Sequence, residues 1–429
     1  MKEDFLHYVW RSRSFNWHQL KTTDGQIVQI RQFGEWNKNA GPDFLHARIQ
    51  IGAELWVGNV EIHLRSSDWW KHQHQNDKAY DNVILHVVYE DDKRITKQNG
   101  QSIPCLELKH RIPKGLIGNY QVLLGNSHWI PCQAHIAKVE GISRELWLDR
   151  LMVERLEKRT QTFLATLEYH RNNWEEVFYQ HIARSLGLYV NTTPFEQLAR
   201  SLPLAILQKH KHHLLQIEAL LFGQAGLLLG EFEEDYPNQL KKEYTFLQHK
   251  YQLKALLPES WKFSRLRPAN FPTIRIAQLA ALIFQSEHLF HKILAIRNAK
   301  EIEAIFDLRL SPYWNHHYQF DQPSVKRKKS LGKHTIRLLV INTIAPLLFM
   351  YGHLRSEERY KELALHLLES LPPEDNHIIR KWNSLGLKAI NAQQSQALLQ
   401  LKQHYCEQKA CMQCAIGHQL MCGKRGLKP

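Results

Sequence analysis

The hydrophobic period changes once along the chain, and this change constrains the fold more than any other feature. Up to about residue 135, apolar and polar residues alternate, as in QIVQIRQFGEWN and ELWVGNVEIHL, which predicts half-buried β-strands. From about Ser143, apolar residues recur at helical spacing, as in SRELWLDRLMVERLEKRTQTFLATLEYHR. The sequence therefore predicts an α/β N-terminal core, a mixed sheet with flanking helices, followed by a large all-α domain.

These patterns predict three segments. Residues 1–138 are expected to form the α/β core, with a helix at EDFLHYVWRS, three strands, a short histidine-rich connection and a fourth strand. LELKHRI is a candidate fifth strand. Residues 139–400 are expected to be helical and basic, and residues 401–429 to form a short cysteine-rich tail.

The charge balance favours a polyanionic partner. Lys and Arg number 56 against 42 Asp and Glu, a formal net charge of +14, and 43% of residues are hydrophobic, as in a packed globular protein. Such an excess favours nucleic acid first and an anionic membrane surface second. We expect a nucleic-acid partner, DNA in particular, and no membrane. The charge says nothing about oligomeric state.

The longest apolar run, LLVINTIAPLLFMY, bears on localisation. It is too short to span a bilayer and is interrupted by Asn342 and Pro346, so we expect a buried helix with a proline break. The start, MKEDFLHYVW, contains two acids and no long apolar segment, unlike a secretory signal. Four of the six cysteines crowd into the last 24 residues, which suits a reducing compartment better than a disulfide framework. We expect a cytoplasmic protein.

Acidic residues stand at two neighbouring predicted strands. In ELWVGNVEIHL the side chains alternate faces, so Glu61 and His63 point the same way, and Asp43 stands just before the preceding strand, FLHARIQIG. If these strands pair, Asp43, Glu61 and His63 converge. Two carboxylates around one hard cation are a usual grip for Mg²⁺, and such an ion activates water and stabilises charge on a phosphoryl group. These three residues are the predicted catalytic site.

A family resemblance rests on the same residues. Pro42-Asp43 and Glu61-Ile62-His63, in a helix–strand–strand–strand–helix–strand order, resemble the PD-(D/E)XK nuclease superfamily. The resemblance implies that Asp43, Glu61 and the main-chain carbonyl of Ile62 bind Mg²⁺ or Mn²⁺. It also implies that His63 stands where these nucleases carry the lysine that orients water. Because imidazole lacks the fixed positive charge of lysine, the exchange is compatible with a working site and with a retired one.

The segment SSDWWKHQHQNDKAYDNVILHVVY follows this candidate centre directly. Its polar residues could donate hydrogen bonds to the metal ligands or form a transition-metal site in place of magnesium. The candidates are Asp68, His72, His74 and Asp77. His86 lies in an apolar strand, where a hydrogen-bonded core histidine and a ligand are equally compatible with the pattern.

A second resemblance covers nearly the whole chain. The strings GPDF…GNVEIHLRSSDW, RPANFPTIRIAQLA and NTIAPLLFMYG resemble an uncharacterised bacterial family known only as a domain of unknown function. This resemblance implies that the α/β and helical parts belong to one architecture.

Basic residues of the helical segment are candidates for phosphate contacts, through arginine forks and a lysine-rich loop. The alternative is a solvated connection whose cations pair with nearby acids. The candidates are Arg265, Arg267, Arg275, Lys326, Arg327, Lys328 and Lys329.

The tail, YCEQKACMQCAIGHQLMCGK, has metal-ligand spacing. Its Cys-x2-Cys pair with a further cysteine on each side could enclose one Zn²⁺ or a [4Fe–4S] cluster, and spacing alone does not choose between them. The predicted ligands are Cys406, Cys411, Cys414 and Cys422, with His418 as an alternative to Cys422.

Taken together, the sequence predicts a metal-dependent, nuclease-like protein that hydrolyses phosphodiester bonds of DNA. Two alternatives remain open: a non-catalytic nucleic-acid or protein scaffold that retains a degenerate nuclease fold, and a hydrolase with a transition metal held by the histidine-rich segment. Metal dependence that is lost on substitution of Asp43 or Glu61 would distinguish the nuclease from the scaffold.

Overall fold

The computed structural model describes residues 1–97 and 99–423, and the chain divides into two compact units. The first unit comprises Met1–Trp147 and Leu401–Pro429, and the second comprises Leu148–Gln400. The sequence had predicted a first boundary near residue 138 and a separate tail. The described part of the tail instead belongs to the first unit.

A mixed seven-stranded sheet forms the centre of the first unit. The strand order is β1-β2-β4-β5-β6-β7, with β3 paired to β4; neighbours up to β5 are antiparallel, and β5, β6 and β7 are parallel. The elements in chain order are α1 (Glu3–Arg11), β1 (Leu20–Lys21), β2 (Ile27–Gln32), β3 (Glu35–Trp36), β4 (Phe44–Ile51), β5 (Glu54–Arg65), α2 (Asp68–Lys71), β6 (Val83–Glu90), β7 (Cys105–Glu107) and α3 (Lys114–Gly125).

Local periodicity explains why these segments fold as they do. The apolar face predicted for the opening helix is buried in α1, where Phe5, Leu6, Val9 and Trp10 are inaccessible to solvent. Gly52, with φ +60°, allows the two-residue turn that joins β4 to β5. The histidine-rich connection then returns the chain so that β6 runs parallel to β5. The predicted mixed sheet region followed by a helical region is confirmed.

The second unit is helical except for one small hairpin. Strands β8 (His317–Gln319) and β9 (Gln322–Pro323) form a two-stranded sheet, so the prediction of an all-α domain was not complete. The helices that follow α3 are α4 (Gly141–Tyr169), α5 (Trp174–Leu186), α6 (Thr192–Ser201), α7 (Leu204–Gln208), α8 (Leu214–Gln224), α9 (Asp235–Tyr251), α10 (Pro272–Gln285), α11 (Leu289–Ala295), α12 (Ala299–Ile305), α13 (Lys333–Leu339), α14 (Ala345–Arg355), α15 (Glu358–Ser370), α16 (His377–Ser384), α17 (Ala392–Leu401) and α18 (Ala415–Cys422). Of these, α4 begins and α17 ends in the first unit, and α18 lies entirely in it.

Pro346 does not break the apolar helix, contrary to the prediction. A π-helical turn, Val340–Ile344, joins α13 to α14 immediately before this proline, and such a turn absorbs the backbone hydrogen bond that proline cannot make. Among the described residues, Lys333–Arg355 is the one helix long and apolar enough to cross a membrane. Of its most apolar 18-residue segment, 78% is buried inside the protein, and core helices of soluble proteins can have the same length and composition.

Candidate metal centre

Three histidines converge beside the C-terminal half of β5. His63 is buried on β5, on the same face as Glu61. His72 follows the last residue of α2, and His74 opens a short 3₁₀ turn. Between them, Gln73 has a left-handed φ of +59°, which reverses the chain locally and turns both neighbouring rings toward β5.

The spacing of the ligand atoms fits a single metal ion. His63 Nε2 lies 3.2 Å from His72 Nδ1 and 3.3 Å from His74 Nε2. Glu61 Oε1 lies 3.5 Å from the same His63 atom and 3.3 Å from His74 Nε2. Ligands about 2.0–2.1 Å from a tetrahedral ion stand about 3.4 Å apart. The ligand atoms of His63, His72 and His74 all lie within 4.8 Å of one another, and Glu61 stands beside two of these histidines. The three imidazoles therefore have the donor set of a transition-metal site, with a carboxylate next to them.

The surrounding side chains hold these rings in place. His63 Nδ1 lies 2.7 Å from His86 Nε2, so the second nitrogen of the central imidazole has a buried hydrogen-bond partner. The ring of His74 stacks on Tyr80 with centroids 3.9 Å apart, and Trp69 meets both His74 and His86 edge to face. Hydrogen bonding of the outer nitrogen is the usual way in which proteins orient a ligating histidine.

Hydrogen bonds from main-chain N–H groups connect Asp43 to the cluster. Its N–H donates to Glu61 Oε2 at 3.1 Å, while its own Oδ2 accepts from the N–H of Ile62 at 2.9 Å. His7 of α1 places Nε2 at 3.1 Å from the same Asp43 oxygen. One oxygen of Glu61 thus faces Asp43 and the other faces the histidines. Asp43 and His7 form a pair beside this cluster.

Burial and crowding shift the protonation of these groups. Burial first, and the charge of Asp43 second, raise the pKa of Glu61 to about 9. Burial and the neighbouring His86, His74 and His72 lower the pKa of His63 to about 2. Burial lowers the pKa of His7, but its interactions with Asp43, Asp4 and Glu3 together outweigh burial and leave that pKa raised. Such displaced values cluster at functional sites, and the neutral imidazole is the form that binds metals.

The other residues predicted around the centre have structural contacts. Asp68 accepts from the N–H of Arg65 at 3.1 Å, and Asp77 accepts from the N–H of Ala79 at 2.9 Å, where it caps a 3₁₀ turn. Ile62 lies in the middle of β5, where its main chain pairs with Val87.

Sequence reasoning missed His7 as part of this site. No motif marks it, because its place depends on the packing of α1 against β5.

Two of the predicted phosphate-binding cations are not available to solvent. Arg275 is 4% exposed, and its guanidinium donates to Gln278, Asn270 and Thr335. Lys329 is 6% exposed and donates to the carbonyl of Asn315. The expectation of phosphate contact is corrected at these two positions. The remaining candidates are exposed, namely Arg265, Arg267, Lys326, Arg327 and Lys328.

The tail cysteines separate into two environments. Cys406, Cys411 and Cys414 are buried. Cys422 is exposed, with its Sγ 3.3 Å from the hydroxyl of Tyr8 and 3.9 Å from His418 Nδ1.

The sheet and its ligand cluster define a mixed α/β protein with a histidine-rich candidate metal centre. The family model described as "Protein of unknown function (DUF2851)" matches residues 3–377, and the chain belongs to this family. The match confirms the resemblance to a domain of unknown function, and it includes all residues of the candidate centre. No curated protein and no solved structure matches the chain.

Proposed function

We propose that this protein is a metal-dependent hydrolase that cleaves phosphodiester bonds of nucleic acid, DNA first. One observation carries the proposal: the ligand atoms of His63, His72 and His74 all lie within 4.8 Å of one another, and Glu61 Oε1 stands 3.3–3.5 Å from two of them. His72 is exposed, so a substrate phosphate can reach this side of the cluster from solvent.

The donor set favours a transition metal over magnesium. Mg²⁺ prefers oxygen ligands in octahedral geometry, whereas imidazole suits Zn²⁺, Fe²⁺ and related ions, and Mn²⁺ accepts mixed nitrogen and oxygen ligands. Of the two ions expected from the sequence, Mn²⁺ is therefore retained in the proposal and Mg²⁺ is not. When bound, the ion would supply Lewis acidity toward a phosphoryl oxygen.

Residues beside the ligands can move a proton. His7 is partly exposed, and its interactions with Asp43, Asp4 and Glu3 together keep its pKa above the usual value although burial opposes this. A protonated imidazole near neutral pH can give its proton to a leaving oxygen, and the neutral form can accept one from water. We assign His7 the role of general acid or base and Asp43 the role of holding it in position.

Three features support nucleic acid as the substrate. Asp43, which directly precedes β4, and Glu61 on the adjacent β5 lie beside the histidines, an arrangement compatible with the PD-(D/E)XK resemblance of the sequence. The net charge is +14. Exposed cations remain at Arg265, Arg267 and Lys326–Lys328.

Free thiols at all six cysteines support the proposal of a reducing, cytoplasmic location.

A cleavage assay tests the proposal. Purified protein is incubated with labelled single- and double-stranded DNA and with RNA, in the presence of Mn²⁺, Zn²⁺ or Mg²⁺. We expect cleavage with Mn²⁺ that falls at least 100-fold in His72→Ala and His74→Ala, because each loses a ligand. His110→Ala, which removes an exposed histidine outside the cluster, is the matched control and should cleave like the wild type.

Two results would contradict the proposal. Salt-dependent binding of nucleic acid without cleavage under any metal would assign the chain to the scaffold class. Cleavage that survives in both histidine variants would place the activity elsewhere in the protein or in a contaminant.

A further inference from the structure

Four cysteines lie buried in the first unit, three of them in the tail and one far earlier in the sequence. Cys406 ends the π turn Lys402–Cys406, Cys411 opens a 3₁₀ turn, and Cys414 directly precedes α18. The fourth, Cys132, comes from the segment that follows α3. All four have free thiols and are 7–8% exposed. Cys132 and Cys406 each lie within electrostatic range of both Cys411 and Cys414.

Specific contacts bring the segment of Cys132 to the tail. The ammonium of Lys409 donates to the carbonyls of Leu124 and Asn126 at 3.1 and 3.2 Å. The side chain of Asn126 in turn donates to the carbonyl of Pro131, the residue before Cys132. Lys402 also lies over the ring of Trp129, 5.1 Å from its centroid. The convergence of the thiols is therefore held by polar contacts on both sides of the cluster.

The backbone around Cys414 is arranged for a sulfur anion. The N–H groups of Ile416 and Gly417 lie close enough to the Cys414 sulfur to favour its anionic form. Gly417 packs so closely that a Cβ there would stand 2.1 Å from the carbonyl oxygen of Cys411. Amide donors at the start of a helix stabilise a thiolate, and close backbone approach keeps two cysteines of a Cys-x2-Cys pair together.

The chemistry of these four side chains suits a metal group. All four are free cysteines in the buried interior of the first unit. A metal group bound there would take them as thiolates, the form of cysteine that ligates metals.

The spacing of the thiols distinguishes two kinds of metal group. Thiolates on one tetrahedral Zn²⁺ stand about 3.8 Å apart, since each Zn–S bond is about 2.3 Å. Within the part of the chain that the structure describes, no three cysteine sulfurs all lie within 4.8 Å of one another, whereas the three histidines of the candidate metal centre do. A [4Fe–4S] cluster distributes its thiolates over four iron atoms and so holds them further apart.

We propose that Cys132, Cys406, Cys411 and Cys414 hold a [4Fe–4S] cluster. Cys132 replaces Cys422, which the sequence spacing had predicted as the fourth ligand. Cys422 contacts Tyr8 and His418 instead and stays exposed. The inference is independent of the hydrolase proposal, because it uses none of the residues of the histidine centre.

Metal analysis of the full-length protein tests this inference. The protein is purified without oxygen, and iron, acid-labile sulfide and zinc are counted per chain. We expect about four irons and four sulfides, with visible absorption that is bleached by dithionite. Cys132→Ser should lose most of the iron. Cys422→Ser and Cys105→Ser, which remove cysteines outside the proposed set, should keep it.

Three outcomes would overturn the inference. One is wild-type protein that contains zinc without sulfide, or neither metal after reconstitution with iron and sulfide. Another is a Cys132→Ser variant that retains the full iron content. The third is loss of iron in Cys422→Ser but not in Cys132→Ser. The wild-type count stands even if a cysteine variant fails to fold, as circular dichroism would reveal.

Discussion

At the scale of single residues, the contacts of His63 support the proposed metal site. Its Nδ1 meets His86 at 2.7 Å, while its Nε2 faces Glu61, His72 and His74. A lysine ammonium would add a positive charge among these groups, whereas an imidazole can accept a metal on one nitrogen and a hydrogen bond on the other. A histidine at this position therefore suits the proposed role of metal ligand.

His86 should tune the metal affinity without touching the metal. Replacing it with leucine removes the hydrogen bond to His63 Nδ1 and frees the central ring to rotate. We expect His86→Leu to bind Mn²⁺ about 10- to 100-fold more weakly, as measured by calorimetry. His181→Leu, which removes a buried histidine of the second unit, is the control. Equal losses in both variants would point to general destabilisation rather than to the centre.

Cys422 should be the most reactive thiol near neutral pH. Its interaction with His418 lowers its pKa to about 7, so the thiolate predominates above that pH and disappears below it. We expect alkylation by iodoacetamide to reach half its maximal rate near pH 7, with the midpoint moving upward in His418→Ala. Mass spectrometry identifies the labelled residue. Buried Cys105 should stay unlabelled in the native protein, and an unchanged midpoint in His418→Ala would refute the explanation.

At the scale of elements, the pairing of β5 with β6 positions the centre. Gly58 allows the close approach of the two strands, since a Cβ there would stand 2.4 Å from Ile84 Cγ2 and 2.5 Å from the carbonyl oxygen of Asn82. We expect Gly58→Ala to lower the free energy of unfolding by about 1–3 kcal/mol, because the strands must move apart. Urea denaturation measures this loss.

The control for Gly58 lies in a helix. Gly118 of α3 has no atom within 4 Å of the position that a Cβ would take. Gly118→Ala should leave stability unchanged or raise it by up to about 1 kcal/mol, since alanine restricts the unfolded chain more than glycine does. If Gly58→Ala is as stable as this variant, the strands are not packed as closely as described.

Local patterns predicted most of the elements and failed where distant parts of the chain decide the outcome. The alternating and helical periods identified α1, β4, β5 and β6, because each period follows from backbone geometry within the segment. The π turn before Pro346 was not predicted. The sequence shows that proline lacks a backbone N–H, but it does not show how the helix accommodates the lost hydrogen bond. The hairpin of β8 and β9 was missed because its strands have only three and two residues.

At the scale of the whole molecule, the candidate sites were only partly readable from the sequence. Glu61 and His63 were predicted together because residues two apart on a strand share a face. His72 and His74 were predicted near them by proximity along the chain. His7 and Cys132 could not be assigned, since each comes to its site through packing of segments far apart in sequence. Arg275 and Lys329 were misread because charge alone does not reveal burial.

The proposed metal site is formed by His63, His72 and His74, with Glu61 beside two of them. The most direct test is calorimetric titration of the full-length protein and of the His74→Ala variant with Mn²⁺. Thiolates bind this ion weakly, so the cysteines should not contribute to the signal. We expect one Mn²⁺ per chain in the wild type and at least a 100-fold weaker affinity in the variant. Absence of binding in the wild type, or equal binding by both proteins, would contradict it.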